Sequence, residues 1–233
     1  MKLGPHFHNR QYLTGKGASM LKRIREPVNG FTHLGAAIAA AIGLIVLLVI
    51  GWGNLGKTIS LTIYGVSLIL LFTASAVYHL VKANPAILKN LRKLDHSAIF
   101  ILIAGTYTPF CFNLFTGFWQ WGMLILVWSL AFIGVAIKLL WINAPRWLNA
   151  GVYVAMGWLA VLGGKELLAT LPAGAVAWLL IGGITFTVGA VIYATKTFNF
   201  FPGKFGFHEV WHIFVMVGAL AHFIGILVYI APA

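Results

Sequence analysis

Acidic residues are nearly absent from this chain. Of 233 residues only four are acidic, namely Glu26, Asp95, Glu166 and Glu209, and all charged residues together make up 9%. Soluble domains carry about 25% charged residues, so a water-exposed globular surface is excluded. There is one cysteine, Cys111, which excludes an intrachain disulfide and any multi-cysteine metal site. Residues 1–30 lack the apolar core and small-residue cleavage site of a secretory signal. No internal repeat and no low-complexity tract stands out.

What is present is long apolar runs, in a chain that is 61% hydrophobic. They fall at about 31–52, 58–81, 95–115, 118–141, 147–169, 175–195 and 207–230. Each is close to the roughly 20 residues that an α-helix needs to cross a bilayer. Breaks such as Gly51-Trp52-Gly53-Asn54, Asn143-Ala144-Pro145-Arg146 and Phe201-Pro202-Gly203-Lys204 separate them. The expected fold is an all-α integral membrane protein, a seven-transmembrane helix bundle at 31–230 behind a basic tail at 1–30. Within that tail, 19–26 reads as a short surface helix.

The net charge of +12 does not point to nucleic acid, because basic loops on one side of a membrane give the same number. Fourteen Lys/Arg fall in the tail and in the loops after runs two, four and six, against Lys57 and Lys165 on the other side. Short loops this asymmetric predict a cytoplasmic N-terminus and an outside C-terminus, in a plasma membrane such as the bacterial inner membrane.

That topology brings polar residues from three distant segments to one depth. His79 lies near the end of run two, with Ser75 one helical turn deeper. Asp95 opens run three. His208 and His212 open run seven, and their i,i+4 spacing stacks two imidazoles on one helix face. Polar groups inside spans are costly and mark functional sites. Three imidazoles with one open position describe a catalytic zinc site, in which the metal activates water at neutral pH. Asp95 then reads as general base or water holder, and Ser75 as a hydrogen-bond partner of the water or of an oxyanion. A lone membrane histidine is more often a structural interhelical contact. Shared depth and spacing favour metal for the set His79, His208 and His212.

Other residues read more plainly. His208-Glu209-Val210-Trp211-His212 matches the zincin order, with Glu209 as a minor candidate base and a helix-start charge as its first reading. His222 is about 15 Å along the last run from the pair and reads as an interhelical contact. Asn29 and His33 read as second-layer or interface groups, His96 as facing away from Asp95, and Thr106 and Tyr107 as packing residues first and bundle lining second. The tryptophans read as interfacial belts, and His6 and His8 as solvated tail residues.

The carriers Glu26-Pro27-Val28-Asn29-Gly30-Phe31-Thr32-His33, Ser75-Ala76-Val77-Tyr78-His79, Leu94-Asp95-His96-Ser97-Ala98-Ile99-Phe100, Ala104-Gly105-Thr106-Tyr107-Thr108-Pro109 and the His-x-x-x-His pair resemble the hemolysin III family. That family belongs to the progestin and adipoQ receptor superfamily and is linked to membrane hydrolases that resemble alkaline ceramidases. The resemblance implies zinc on His79, His208 and His212, with Ser75 and Asp95 beside its water. It also implies a metal-dependent lipid amide or ester hydrolase with a role in membrane homeostasis, whose partners are membrane lipids. The family's name implies cytolysis, yet the chain has no amphipathic strand pattern of a pore-forming toxin. A sensor or receptor with a structural zinc and a transporter or proton relay are the other readings. Substrate and oligomeric state are not legible.

Overall fold

A computed structural model describes residues 24–201 and 205–233. The histidines of the tail and most of the 19–26 segment lie outside the described residues. The described residues are helical throughout, apart from turns and one isolated bridge between Phe201 and Phe205. The helices are α1 (Pro27–Ile50), α2 (Leu55–Leu80), α3 (Pro85–Leu114) and α4 (Gly117–Leu140). There follow α5 (Arg146–Gly157), a 3-10 stretch (Trp158–Gly163), α6 (Gly164–Thr170), α7 (Ala173–Thr195) and α8 (Phe207–Tyr229). Taking α5 through α6 as one segment, seven helical segments are long and apolar enough to cross a membrane. The chain is an integral membrane protein.

Local signals set the helix ends. Asn54 and Asn84 are N-caps whose side chains accept the N–H groups of Lys57 and Ile87, both at 3.0 Å, satisfying donors that a helix start leaves open. Pro27 and Pro85 occupy first-turn positions, where the missing N–H costs nothing. The Asn84-Pro85 start corrects one expectation. The third helix begins ten residues before Asp95, so Lys89, Arg92 and Lys93 lie on a helix rather than in a loop. Hydropathy alone hides this first part, because its basic residues sit outside the apolar window.

Packing is inside-out relative to a soluble bundle. On α1 the buried face is Asn29, Gly30, His33, Ala37, Ala40, Gly43 and Leu47, mostly small or polar. Its outward stripe is Ile38, Ile42, Ile45 and Val49, all exposed. Lipid tails are as apolar as those side chains, so small residues that let helices approach take the interior. Helix α3 sits centrally, against α2, α4, α5 and α8, while α1 packs on α2 and α8, and α7 on α5 and α8. Tyr64, Leu61, Leu68, Leu71 and Phe72 of α2 anchor the core with Leu47, Val215 and Ile226.

The fifth span is broken. Its 3-10 stretch replaces the i→i+4 ladder with the poorer i→i+3 geometry, and at membrane depth such irregular backbone is tolerated where protein groups support it. Tyr107 of α3 does so. Its hydroxyl donates toward Gly157 O at 2.6 Å, with Met156 O at 3.2 Å, and accepts the Ala160 N–H at 2.8 Å. The expected packing residue is thus a clamp on the break.

Candidate metal centre

Each imidazole of the expected set arrives from a helix end. His79 is the next-to-last residue of α2, and His208 and His212 occupy the first turns of α8. One ligand atom from each of the three lies within 4.8 Å of the other two. The ring centroids are 5.2 Å apart for His79 and His208, 4.7 Å for His79 and His212, and 4.8 Å for His208 and His212. His79 and His212 are buried. Nε2 of His79, Nε2 of His208 and Nδ1 of His212 are buried with no hydrogen-bond partner. Buried polar atoms are normally satisfied, so an orphaned nitrogen on every ring fits a group that binds lone pairs. The buried cluster can hold a metal ion.

A small cavity of about 40 Å³ adjoins the cluster, its mainly apolar wall interrupted by Ser75, Asp95, His96, Tyr153, His208 and His212. That is room for at least one water. Ser75 and Asp95 therefore line one cavity beside the histidines. Asp95 gets there from the third turn of α3 rather than from its start. His96 does not face away from the cavity. It lines the wall and its carbonyl accepts the Tyr153 hydroxyl at 3.3 Å.

Helix α1 stands behind the ligands. Oε2 of Glu26 is 2.6 Å from Nδ1 of His79, and the Glu26 N–H donates to the His79 carbonyl at 3.0 Å. The His79 hydrogen bond and the positive charge of neighbouring Arg25 outweigh burial and hold the Glu26 carboxyl down at about 2. Asn29 donates Nδ2 to Oε1 of Glu209 at 2.9 Å. The other oxygen of Glu209 accepts the Gly206 N–H at 2.8 Å, a capping interaction that matches its reading as a helix-start charge. His33 stacks on His212 at 3.9 Å between centroids, with both ring nitrogens buried and unpartnered. His222 lies apart, with Nε2 3.2 Å from the Leu179 carbonyl, the interhelical contact expected of it.

Sequence reasoning missed Glu26 as a partner of His79. A signal was there: a rare acidic residue placed immediately before a Pro-initiated helix, in register with Asn29 and His33 at i+3 and i+7.

The fold and cluster define a seven-helix membrane protein with a buried three-histidine centre at one end of the bundle. The sequence profile described as "Haemolysin-III related" matches residues 21–223, and the chain belongs to that family. It is 36% identical over 207 residues to a hemolysin-3 homolog of Bacillus subtilis (strain 168), covering 88% of this chain and 93% of that protein. It is 34% identical over 225 residues to hemolysin-3 of Bacillus cereus, covering 94% and 99%. A more distant likeness is to an adiponectin receptor protein of Drosophila melanogaster, at 28% over 151 residues, 58% of this chain and 34% of that protein.

Proposed function

We propose that this protein is a zinc-dependent hydrolase that cleaves an amide or ester bond of a membrane lipid, with His79, His208 and His212 as ligands. One observation carries the reading. The small cavity at the histidines shares Leu71, Ile99, Tyr153, Trp211 and Val215 with an apolar cavity of about 110 Å³. That cavity in turn shares Thr106, Tyr107, Gly157, Trp158, Gly183 and His222 with a second of about 280 Å³. A small cavity beside the histidines, followed by two apolar cavities that share its walls in turn, suits an amphiphile with its polar linkage at the histidines and its chain among α3, α5 and α7.

When bound, zinc supplies Lewis-acid polarisation of a carbonyl and an acidified water. Asp95 accepts the proton of the attacking water and returns it to the leaving amine or alcohol. Ser75 orients the Asp95 carboxylate toward that water. The apolar cavities fix the lipid chain and keep bulk water from the linkage. The break in the fifth span is the side door, since Gly157, Ala160, Val161 and Leu168 of that span line the wider cavity. The N-terminus and the histidines lie on the cytoplasmic side, by the distribution of Lys and Arg. The bacterial relatives support an inner-membrane location.

The test is release of free fatty acid, followed by mass spectrometry, from lipid amides and esters in mixed micelles. Zinc-loaded wild-type protein releases it, and Asp95→Ala with its metal retained does not. Equal turnover by both would remove Asp95 from the chemistry. No turnover on either class by zinc-loaded protein would overturn the hydrolase reading. It would favour a lipid-responsive receptor instead, a reading supported by the likeness to a protein named as a receptor.

A further inference from the structure

We infer that Glu26 is a positioning residue for His79, and that the inner face of α1 forms the layer behind the ligands. This rests on the metal reading of the cluster. Glu26 grips His79 twice, through its backbone N–H to the carbonyl and through Oε2 to Nδ1. An ionised carboxylate only accepts hydrogen bonds. The short 2.6 Å contact therefore requires a proton on Nδ1, which in the neutral ring that a metal ligand must be leaves the lone pair on Nε2. That nitrogen is the one buried without a partner. A carboxylate behind a ligating imidazole fixes its tautomer and ring orientation and raises its basicity.

The same helix face continues the pattern. One turn on, Asn29 reaches Oε1 of Glu209, the residue after His208, and its Nδ2 also lies 3.5 Å from Oε2 of Glu26. One more turn on, the His33 ring covers the His212 ring. Glu26 and His33 thus back His79 and His212 directly, and Asn29 between them holds Glu209, the neighbour of His208. Gly30 lies on this face against Leu80, where a Cβ would collide with the leucine side chain. Its lack of a side chain lets α1 come close enough to α2 for the Glu26 contact. A plain interhelical bolt would need none of this ordering. It would affect stability while leaving metal affinity untouched.

The experiment compares full-length wild-type protein with Glu26→Ala and Glu26→Gln, reading zinc affinity by chelator competition and the visible absorption of the cobalt-substituted protein. The expected result is a loss of affinity of about 10- to 100-fold in Glu26→Ala, the range for lost outer-layer partners. A smaller loss is expected in Glu26→Gln, which keeps an acceptor. Histidine ¹⁵N NMR of zinc-loaded wild-type protein needs no variant, so it decides even where Glu26→Ala fails to fold. It is expected to show His79 metallated at Nε2 and protonated at Nδ1, and the reverse would overturn the inference. Folded Glu26→Ala with wild-type affinity would overturn it too, while leaving the metal centre standing. A wild-type protein that takes up no zinc would remove both together.

Discussion

Replacing Tyr107 with Phe removes a single oxygen from the clamp on the broken span. That oxygen accepts the Ala160 N–H at 2.8 Å and donates toward Gly157 O at 2.6 Å. The variant leaves one backbone donor and one carbonyl without those partners, next to hydrocarbon. The Ala160 N–H is the part-buried one of the two, and an orphaned buried donor costs about 1–3 kcal/mol, less if the 3-10 stretch rewinds into α-helix. Rewinding would satisfy the backbone but close the cavity that Gly157 and Ala160 line. Either route has a readable signature. Thermal unfolding of the zinc-loaded protein in detergent is expected to show a large loss of stability, or else lipid turnover falls at preserved stability. A Tyr107→Phe variant that keeps both stability, within about 1 kcal/mol, and wild-type turnover would refute the clamp and its link to the cavity.

Three further outcomes are expected. Asp95→Asn keeps the shape of the cavity but not the base, and should lower turnover by about 10²- to 10⁴-fold with zinc content unchanged by elemental analysis. Gly183 lines both apolar cavities, and the nearest group to a Cβ there is the Trp158 ring, at an ordinary contact distance of 3.4 Å; Gly183→Leu should fold, keep its metal and lose activity on long-chain lipids while sparing short-chain ones. The Glu26 carboxyl is held at about 2 against an ordinary 4.5, so the native state binds fewer protons than the unfolded chain between those values. Its contribution is fully present above 4.5 and lost as pH falls toward 2. The stability gap between wild type and Glu26→Gln, measured by thermal melts, should shrink through that window.

The seven spans were legible because each is an uninterrupted apolar run bounded by Gly, Pro and Asn breaks, and membrane helices cannot hide that pattern. The start of α3 was less so. Asn84-Pro85 is a helix-start signal in its own right, but the basic residues that follow lower the hydropathy and mask it. The break in the fifth span was not legible, since it depends on Tyr107 from another helix. At the site, His79, His208 and His212 were readable because topology alone puts them at one depth, and Ser75 and Asp95 followed from the same depth. The layer behind them was not. Treating 1–30 as tail cut α1 off from its first turn, where Glu26 and Asn29 sit. His96 illustrates the remaining limit: neighbours on a helix point apart, yet α5 wraps far enough round α3 for Tyr153 to draw His96 into the same cavity wall.

The most direct measurement of the central claim is the metal content of purified full-length protein by elemental analysis, beside a His208→Ala/His212→Ala variant. About one zinc per chain is expected in the wild type and none in the variant. A folded wild-type protein that holds no metal after zinc is supplied would contradict that claim, and the three histidines would then be an interhelical contact.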